Sequence, residues 1–452
     1  MNGTLVIMKD YWGQRHQIPK GVWLLLFSYS LVAFGSPMPA KITWLEIVMG
    51  CGLLLAGIAL AGEVLKCAQQ QITAKWCLIL TVALFLIPLY VGLARGNALS
   101  NVARDIFPLA FLLLIPIFLR YSVTPSNRKV MRTLVSITIV FVGTCTAVIF
   151  FVGTIHLAGS TQEMSRWVRS GFGGLEIQAA QAAQAAQATQ ATLEGTLDKI
   201  NTTRAFMLKL YDPAMLFAAI YFSAWGVMLM VSSWSRWAPG IFLFSMGALI
   251  AYGFLIIGLR AYIGLFALTI SAVISSQFRS RGFYLRLFPF LLIALILLLP
   301  QIEGNLQILW IKQQIVGADG KLAEWRAVIS TISASTQTAL WGIGFGGVLD
   351  NPILLGIPTR FTHSMLSYFL LKSGIVGLIT LILAIAILLF GGKRGRCAEP
   401  LTTSLSIILL SCVPPLIIGV LFEPTYKMLS YGVILALFVV ALPAFEKNTS
   451  MS

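Results

Sequence analysis

Residues 360–377 read RFTHSMLSYFLLKSGIVG. The run passes from a polar loop into an apolar helix, and it carries one of only three histidines in the chain. On a helical wheel, at about 100° per residue, Gly374 and Gly377 fall roughly 20° and 40° from His363. One face would then present an imidazole at its outer end and two glycines deeper down. The glycines would admit a close neighbouring helix and so fix where the imidazole points. A histidine held rigidly at a membrane surface suits a general base. The alternative is an interfacial histidine with no chemical role. Lys372 falls about 180° from His363 and roughly 13 Å deeper, at 1.5 Å per residue. A charge at that depth needs a partner. Glu46 and Glu423 are candidates, and a structural ion pair is the expectation.

Composition places this stretch in a membrane protein. The 452 residues are 58% hydrophobic and 11% charged, with mean hydropathy +0.87, whereas soluble domains carry about 25% charged residues. An all-α polytopic membrane protein follows. Twelve apolar spans are predicted, approximately 20–36, 44–65, 76–94, 103–120, 131–157, 213–232, 238–257, 260–277, 283–300, 362–391, 402–421 and 426–445. The whole chain, 1–452, reads as a single integral membrane domain.

The formal charge is +16. In a soluble protein that would suggest nucleic acid. Here the basic residues cluster in short loops, so topology accounts for them and no nucleic-acid partner is expected. Over the short loops and termini, Lys and Arg number 17 on the N-terminal side and 5 on the other. The positive-inside rule then puts both ends in the cytoplasm. Two long loops, 158–212 and 301–361, fall outside. The polar first 20 residues lack a small-residue cleavage site and predict no cleavable signal peptide. The six cysteines avoid both long loops, which predicts no disulfides there.

The first long loop holds QAAQAAQAAQATQAT from Gln178. A period of three drifts around a helix, so the run reads as a spacer without chemistry. The second loop reads as two helical segments, an amphipathic 306–316 and a second from Lys321 to Leu340. WGIGFGGV follows, suited to a tight turn or to turning backbone N–H groups toward an anion; a plain loop is the competing reading. Outer-half cations include Arg95, Arg104, Arg204, Arg260, Arg326 and Arg360. Arginine's planar fork of donors matches phosphate oxygens, and lipid headgroups are the plainer ligand. No Asp-x-Asp pair occurs in the outer loops. Asp319, Glu324 and Asp350 look scattered. No metal site and no cofactor are therefore expected, with arginine neutralising any phosphate.

His363-Ser364, nine residues, Gly374, two residues, Gly377 resembles the histidine motif of bacterial O-antigen ligases. Arg204-Ala-Phe-Met-Leu208 is similar to an Arg-x-x-x-Leu element of those enzymes. Glu324-Trp325-Arg326, a helix, then Gly342-x-Gly344-x-Gly346 resembles the loop before the histidine in the wider ligase and polymerase superfamily. The resemblance implies a GT-C type, inverting glycosyltransferase of the bacterial inner membrane. It would move a glycan from undecaprenyl pyrophosphate to lipid A–core at the periplasmic face, among membrane lipids. It implies a catalytic histidine at His363 and an essential loop arginine at Arg326. A second phosphate-binding arginine would be Arg260, or Arg204. The Ala/Gln repeat departs from the family pattern. Arg326, fifteen residues, Gly342 also fits some O-antigen polymerases, which keeps polymerisation of lipid-linked repeat units as the alternative. A lipid or polysaccharide transporter would usually show internal repeats and midplane charges, and no repeat between the two halves is visible.

Overall fold

The computed structural model describes residues 19–35, 44–70, 72–109, 112, 115, 117–118, 125–159, 209–276, 319–352, 357–390 and 402–442. The described chain is mostly helical: α1 (Lys20–Ser30), α2 (Trp44–Gln70), α3 (Ile72–Ala94), α4 (Leu99–Leu109), α5 (Pro125–Ala158), α6 (Pro213–Ser232), α7 (Trp237–Ile257), α8 (Arg260–Ser276), α9 (Asp319–Ile332), α10 (Thr336–Trp341), α11 (Met365–Phe390), α12 (Thr403–Leu421) and α13 (Leu429–Ala441). Between α10 and α11 lies a small antiparallel pair, β1 (Leu349–Asn351) and β2 (Ile357–Thr359), with Leu349 opposite Thr359.

Among the described residues, α2, α3, α5, α6, α7, α11 and α12 are long and apolar enough to cross a membrane. Shorter apolar helices, Lys20–Phe34, Arg260–Ser276 and Leu429–Ala441, coincide with three more predicted spans. The 103–120 span begins in α4. The 283–300 span, the 306–316 segment, the Ala/Gln repeat and Arg204 lie outside the described residues. A surface stripe on α2, Leu54, Ile58 and Leu65, is exposed and wholly apolar. Such a row suits lipid rather than water.

The chain divides into two compact units, one formed by 1–32, 45–139 and 316–452, the other by 33–44 and 140–315. In the second unit, Asp212 caps α6 by accepting from the Ala214 N–H at 2.8 Å, with Pro213 at the first helical position. Both residues are strong helix-start signals. α6 and α7 approach through Gly226, Gly240 and Gly247, where an added Cβ would collide with the facing helix. α7 ends at Gly258 in the left-handed region (φ 73°), and Arg260 opens α8 two residues later. The Tyr262 hydroxyl donates to the Tyr211 carbonyl at 2.7 Å, tying α8 to the start of α6.

In the first unit the glycine run 342–347 threads between α3 and α11. The cause is a break in α11 at Gly374 (φ 63°, ψ −159°). In an unbroken helix the Leu371 and Lys372 carbonyls would accept from the N–H groups four residues on. Freed by the break, they accept from Ile343 N–H (2.9 Å) and Gly344 N–H (3.0 Å). Phe345 N–H donates to the Pro88 carbonyl of α3 at 2.8 Å, and Asn97 donates to the Ile343 and Phe345 carbonyls. A Cβ on Gly374 would collide with the Leu340 carbonyl, and one on Gly342 with the Lys372 carbonyl.

Three sequence expectations are corrected here. His363 is not on the helix, which starts at Met365, so the wheel that aligned it with Gly374 and Gly377 does not apply. Gly374 serves a helix break rather than a helix–helix face, and a Cβ on Gly377 would meet Ser373 of its own helix. The segment 321–340 is two helices, because Ser335 caps α10 by accepting from the Thr338 N–H at 3.1 Å.

Candidate functional site

The site begins with α9. Val328 and Ile332 on its inner face join Ile343, Leu349, Leu370 and Leu371 in one buried cluster. Glu324 shares that face at spacings of four and eight, and it is 2% exposed. Burial of the apolar residues therefore drives a carboxylate inward. Lys321, one turn earlier, anchors the same helix by donating to the Phe422 carbonyl at 2.6 Å. That carbonyl lies at the end of α12, where a cation is favoured.

Glu324 meets His363. Its Oε1 lies 3.0 Å from His363 Nδ1, and its Oε2 accepts the His363 main-chain N–H at 2.9 Å. Asn351, the last residue of β1, donates to Oε1 at 2.7 Å. Burial alone would raise the Glu324 carboxyl. The hydrogen bond from the His363 ring, the ring's charge, the His363 N–H and Asn351 outweigh it and hold it below its ordinary value. An ionised carboxylate only accepts, so Nδ1 carries a proton in either state of the ring, and the form that has lost its second proton presents the Nε2 lone pair. The His363 side chain is 19% exposed, enough to be reached from outside.

The backbone around His363 is held on both sides. Ser364 accepts from the Ser367 N–H at 3.1 Å and caps α11. The Ser367 hydroxyl donates to Thr362 Oγ1 at 2.8 Å, and the Tyr426 hydroxyl donates to the Thr362 carbonyl at 2.9 Å. Both Thr362 and Ser367 are fully buried. The imidazole thus has a fixed backbone, a proton fixed at Nδ1 and, among the described residues, one nitrogen without a partner.

Beside it lies a second charged group that the sequence reading missed. Asp105 of α4, fully buried, is 3.0 Å from Lys372 Nζ through Oδ2 and 2.9 Å from Lys427 Nζ through Oδ1. Gly346 N–H also donates to Oδ2 at 2.9 Å. Lys372 therefore has the expected ion pair with an unexpected partner, Asp105; Glu423 lies by Lys321 instead, and the Glu46 side chain is outside the described residues. The glycine run does bring one N–H to an anion, but that anion is the protein's own carboxylate.

The predicted arginines are distributed differently. Arg326 lies on α9 two residues after Glu324, about 200° around the helix. It is exposed and makes no hydrogen bond or ion pair among the described residues. Arg260 begins α8 in the other unit and is half-buried. Arg360 is half-buried three residues before His363, and its guanidinium reaches the Asn101 carbonyl at 3.4 Å. A cleft of about 690 Å³ between α3 and α10 has Leu86, Tyr90 and Trp341 on its walls, with Arg95 donating to Thr338 Oγ1 at 3.0 Å. None of His363, Arg326 and Arg260 lines it.

Glu324 and Asp105 shared one readable sign. Each is an acid on an otherwise apolar helix face: Glu324 with Val328 and Ile332, Asp105 with Val102 and Leu109. Asn351 and Lys427 carried no such sign. Compared with protein-family models, with curated proteins and with solved structures, the chain matches none.

Proposed function

We propose that this chain is an inverting glycosyltransferase whose general base is His363. The observation that carries the reading is the buried Glu324 carboxylate, which holds both the ring and the peptide N–H of His363. Nε2 takes the proton of an acceptor hydroxyl as that oxygen attacks the anomeric carbon. The bond from that carbon to the diphosphate oxygen breaks, and the diphosphate leaves as an anion. A base in this role contributes on the order of 10²–10⁴ in rate.

The resemblance of the His363–Gly377 motif supplies the substrates. The donor is a glycan on undecaprenyl pyrophosphate, and the acceptor is lipid A–core, at the periplasmic face of the inner membrane. Basic side chains beside the base would neutralise the charge that develops on the diphosphate. The full-length protein in nanodiscs, given lipid-linked glycan and lipid A–core, tests it. His363→Ala is expected to lose turnover while keeping its fold; wild-type turnover by that variant removes His363 from the mechanism. A deletion strain separates ligase from polymerase. Free core with normal-length lipid-linked polymer marks a ligase, and core bearing a single repeat unit marks a polymerase.

A further inference from the structure

The charges around Asp105 do not balance. One carboxylate serves two ammonium groups, at 2.9 and 3.0 Å, and both of its oxygens are engaged. Half-buried Arg360 adds a third cation, against two carboxylates, Asp105 and the neighbouring Glu324, both of which act on Tyr426. The Arg360 carbonyl accepts from Lys427 Nζ at 3.4 Å, and its guanidinium bonds the carbonyl of Asn101, one helical turn before Asp105 on α4. Leaving positive charge in excess in a buried setting is costly unless an anion completes it.

A second observation points the same way. The Tyr368 hydroxyl is fully buried and has no hydrogen-bond partner among the described residues. Tyr368 belongs to the same cluster: Lys427 Nζ lies 4.6 Å from its ring centre and Lys372 Nζ 5.7 Å. A buried orphan donor on the ring that both ammonium groups face fits an anion with several acceptor oxygens. The cluster also borders the dyad. The Phe361 ring has Lys427 Nζ at 5.9 Å and packs edge-on against the His363 ring at 6.4 Å. Lys427 keeps 16% of its side chain exposed, so the group is open on one side.

We propose that Arg360, Lys427 and Tyr368 form an anion site for a phosphate or diphosphate ester, with Asp105 and Lys372 holding Lys427 in place. The proposal deepens the transferase reading and rests on it for the ester's origin: the site takes the diphosphate of the lipid-linked donor next to the base. Arg360 supplies paired donors, Lys427 a point charge and Tyr368 a neutral O–H.

The test measures binding alone. Full-length protein in detergent is titrated with geranylgeranyl diphosphate, then with inorganic pyrophosphate as competitor. Wild type is expected to bind the prenyl diphosphate. Arg360→Gln is expected to bind about ten- to a hundredfold more weakly, as for loss of a charged hydrogen bond. Arg360→Lys should keep part of the affinity, and Tyr368→Phe should lose less than Arg360→Gln. Ligand-free melting temperatures identify any variant that has lost its fold. Displacement by pyrophosphate assigns recognition to the headgroup alone; a prenyl diphosphate that pyrophosphate cannot displace, yet that still depends on Arg360, assigns it to the lipid ester. Wild-type affinity in folded Arg360→Gln, or no diphosphate binding by wild type, overturns the site. His363→Ala separates the two readings, since it should bind diphosphate normally without transferring glycan. If it transfers, the transferase mechanism fails while the anion site stands.

Discussion

Replacing Glu324 by Gln removes one charge and almost no volume, so it isolates what the carboxylate does. Three donors converge on it: His363 Nδ1 at 3.0 Å, His363 N–H at 2.9 Å and Asn351 Nδ2 at 2.7 Å. A carboxylate accepts all three, whereas an amide offers one oxygen and an NH₂ that faces donors. At least one buried donor loses its partner, at about 1–3 kcal/mol. If the NH₂ turns toward the ring, Nδ1 must become the acceptor and the proton moves to Nε2. The lone pair needed for catalysis is then gone. The expected loss in kcat is about 10²–10⁴, or roughly 3–5 kcal/mol of barrier at 1.36 kcal/mol per decade. Glu324 is only 2% exposed, so it cannot touch the donor, and KM should move little. The assay is glycan transfer by purified protein across pH 5–9, with a melting curve for each variant. A folded Glu324→Gln enzyme with kcat within about threefold of wild type and an unchanged pH profile would refute the dyad.

Acid should loosen α9 through the same carboxylate. Its folded-state value lies below the ordinary one, so its contribution is present above the unfolded-state value and is lost as pH falls through the folded one. Wild type should therefore lose melting temperature below about pH 4 more steeply than Glu324→Gln does. Gly374→Ala places a side chain at φ 63° and against the Leu340 carbonyl, so about 1–3 kcal/mol of backbone strain adds to the collision. Limited proteolysis should then cut near 342–347. Lys372→Met leaves buried Asp105 with Lys427 and the Gly346 N–H, and should destabilise by about 1–3 kcal/mol, as for one lost charged hydrogen bond. Asp105→Asn takes the carboxylate from both Lys372 and Lys427 and should cost more than Lys372→Met; in a denaturation assay the double variant should lose less than the sum of the two, and strict additivity would show that the two do not interact.

Much of the helical framework was legible because apolar length and composition act locally. The predicted starts at Pro213 and Arg260 match helices that open there, since Asp212-Pro213 and Gly258 act within a single turn. His363 was legible as a candidate because histidine is rare in this chain and sits at a polar-to-apolar boundary. Its geometry was not. The wheel assumed that the helix ran from His363 through Gly377, whereas it starts at Met365 and breaks at Gly374. A glycine in a sequence does not announce whether it admits a neighbouring helix or ends its own.

By itself the sequence determined that this is a helical, multi-span membrane protein, where most of its apolar segments begin and end, and that His363 stands where a polar loop meets an apolar span. These follow from side-chain hydrophobicity and short-range capping, which need no partner far along the chain. Only the tertiary structure decided that Glu324 orients His363 across 39 residues, that Lys372 pairs with Asp105, and that the glycine run lies against a broken helix. Those outcomes depend on which buried charges and carbonyls meet when distant segments pack. That matching is one of burial and hydrogen-bond satisfaction in space, and no local pattern encodes it.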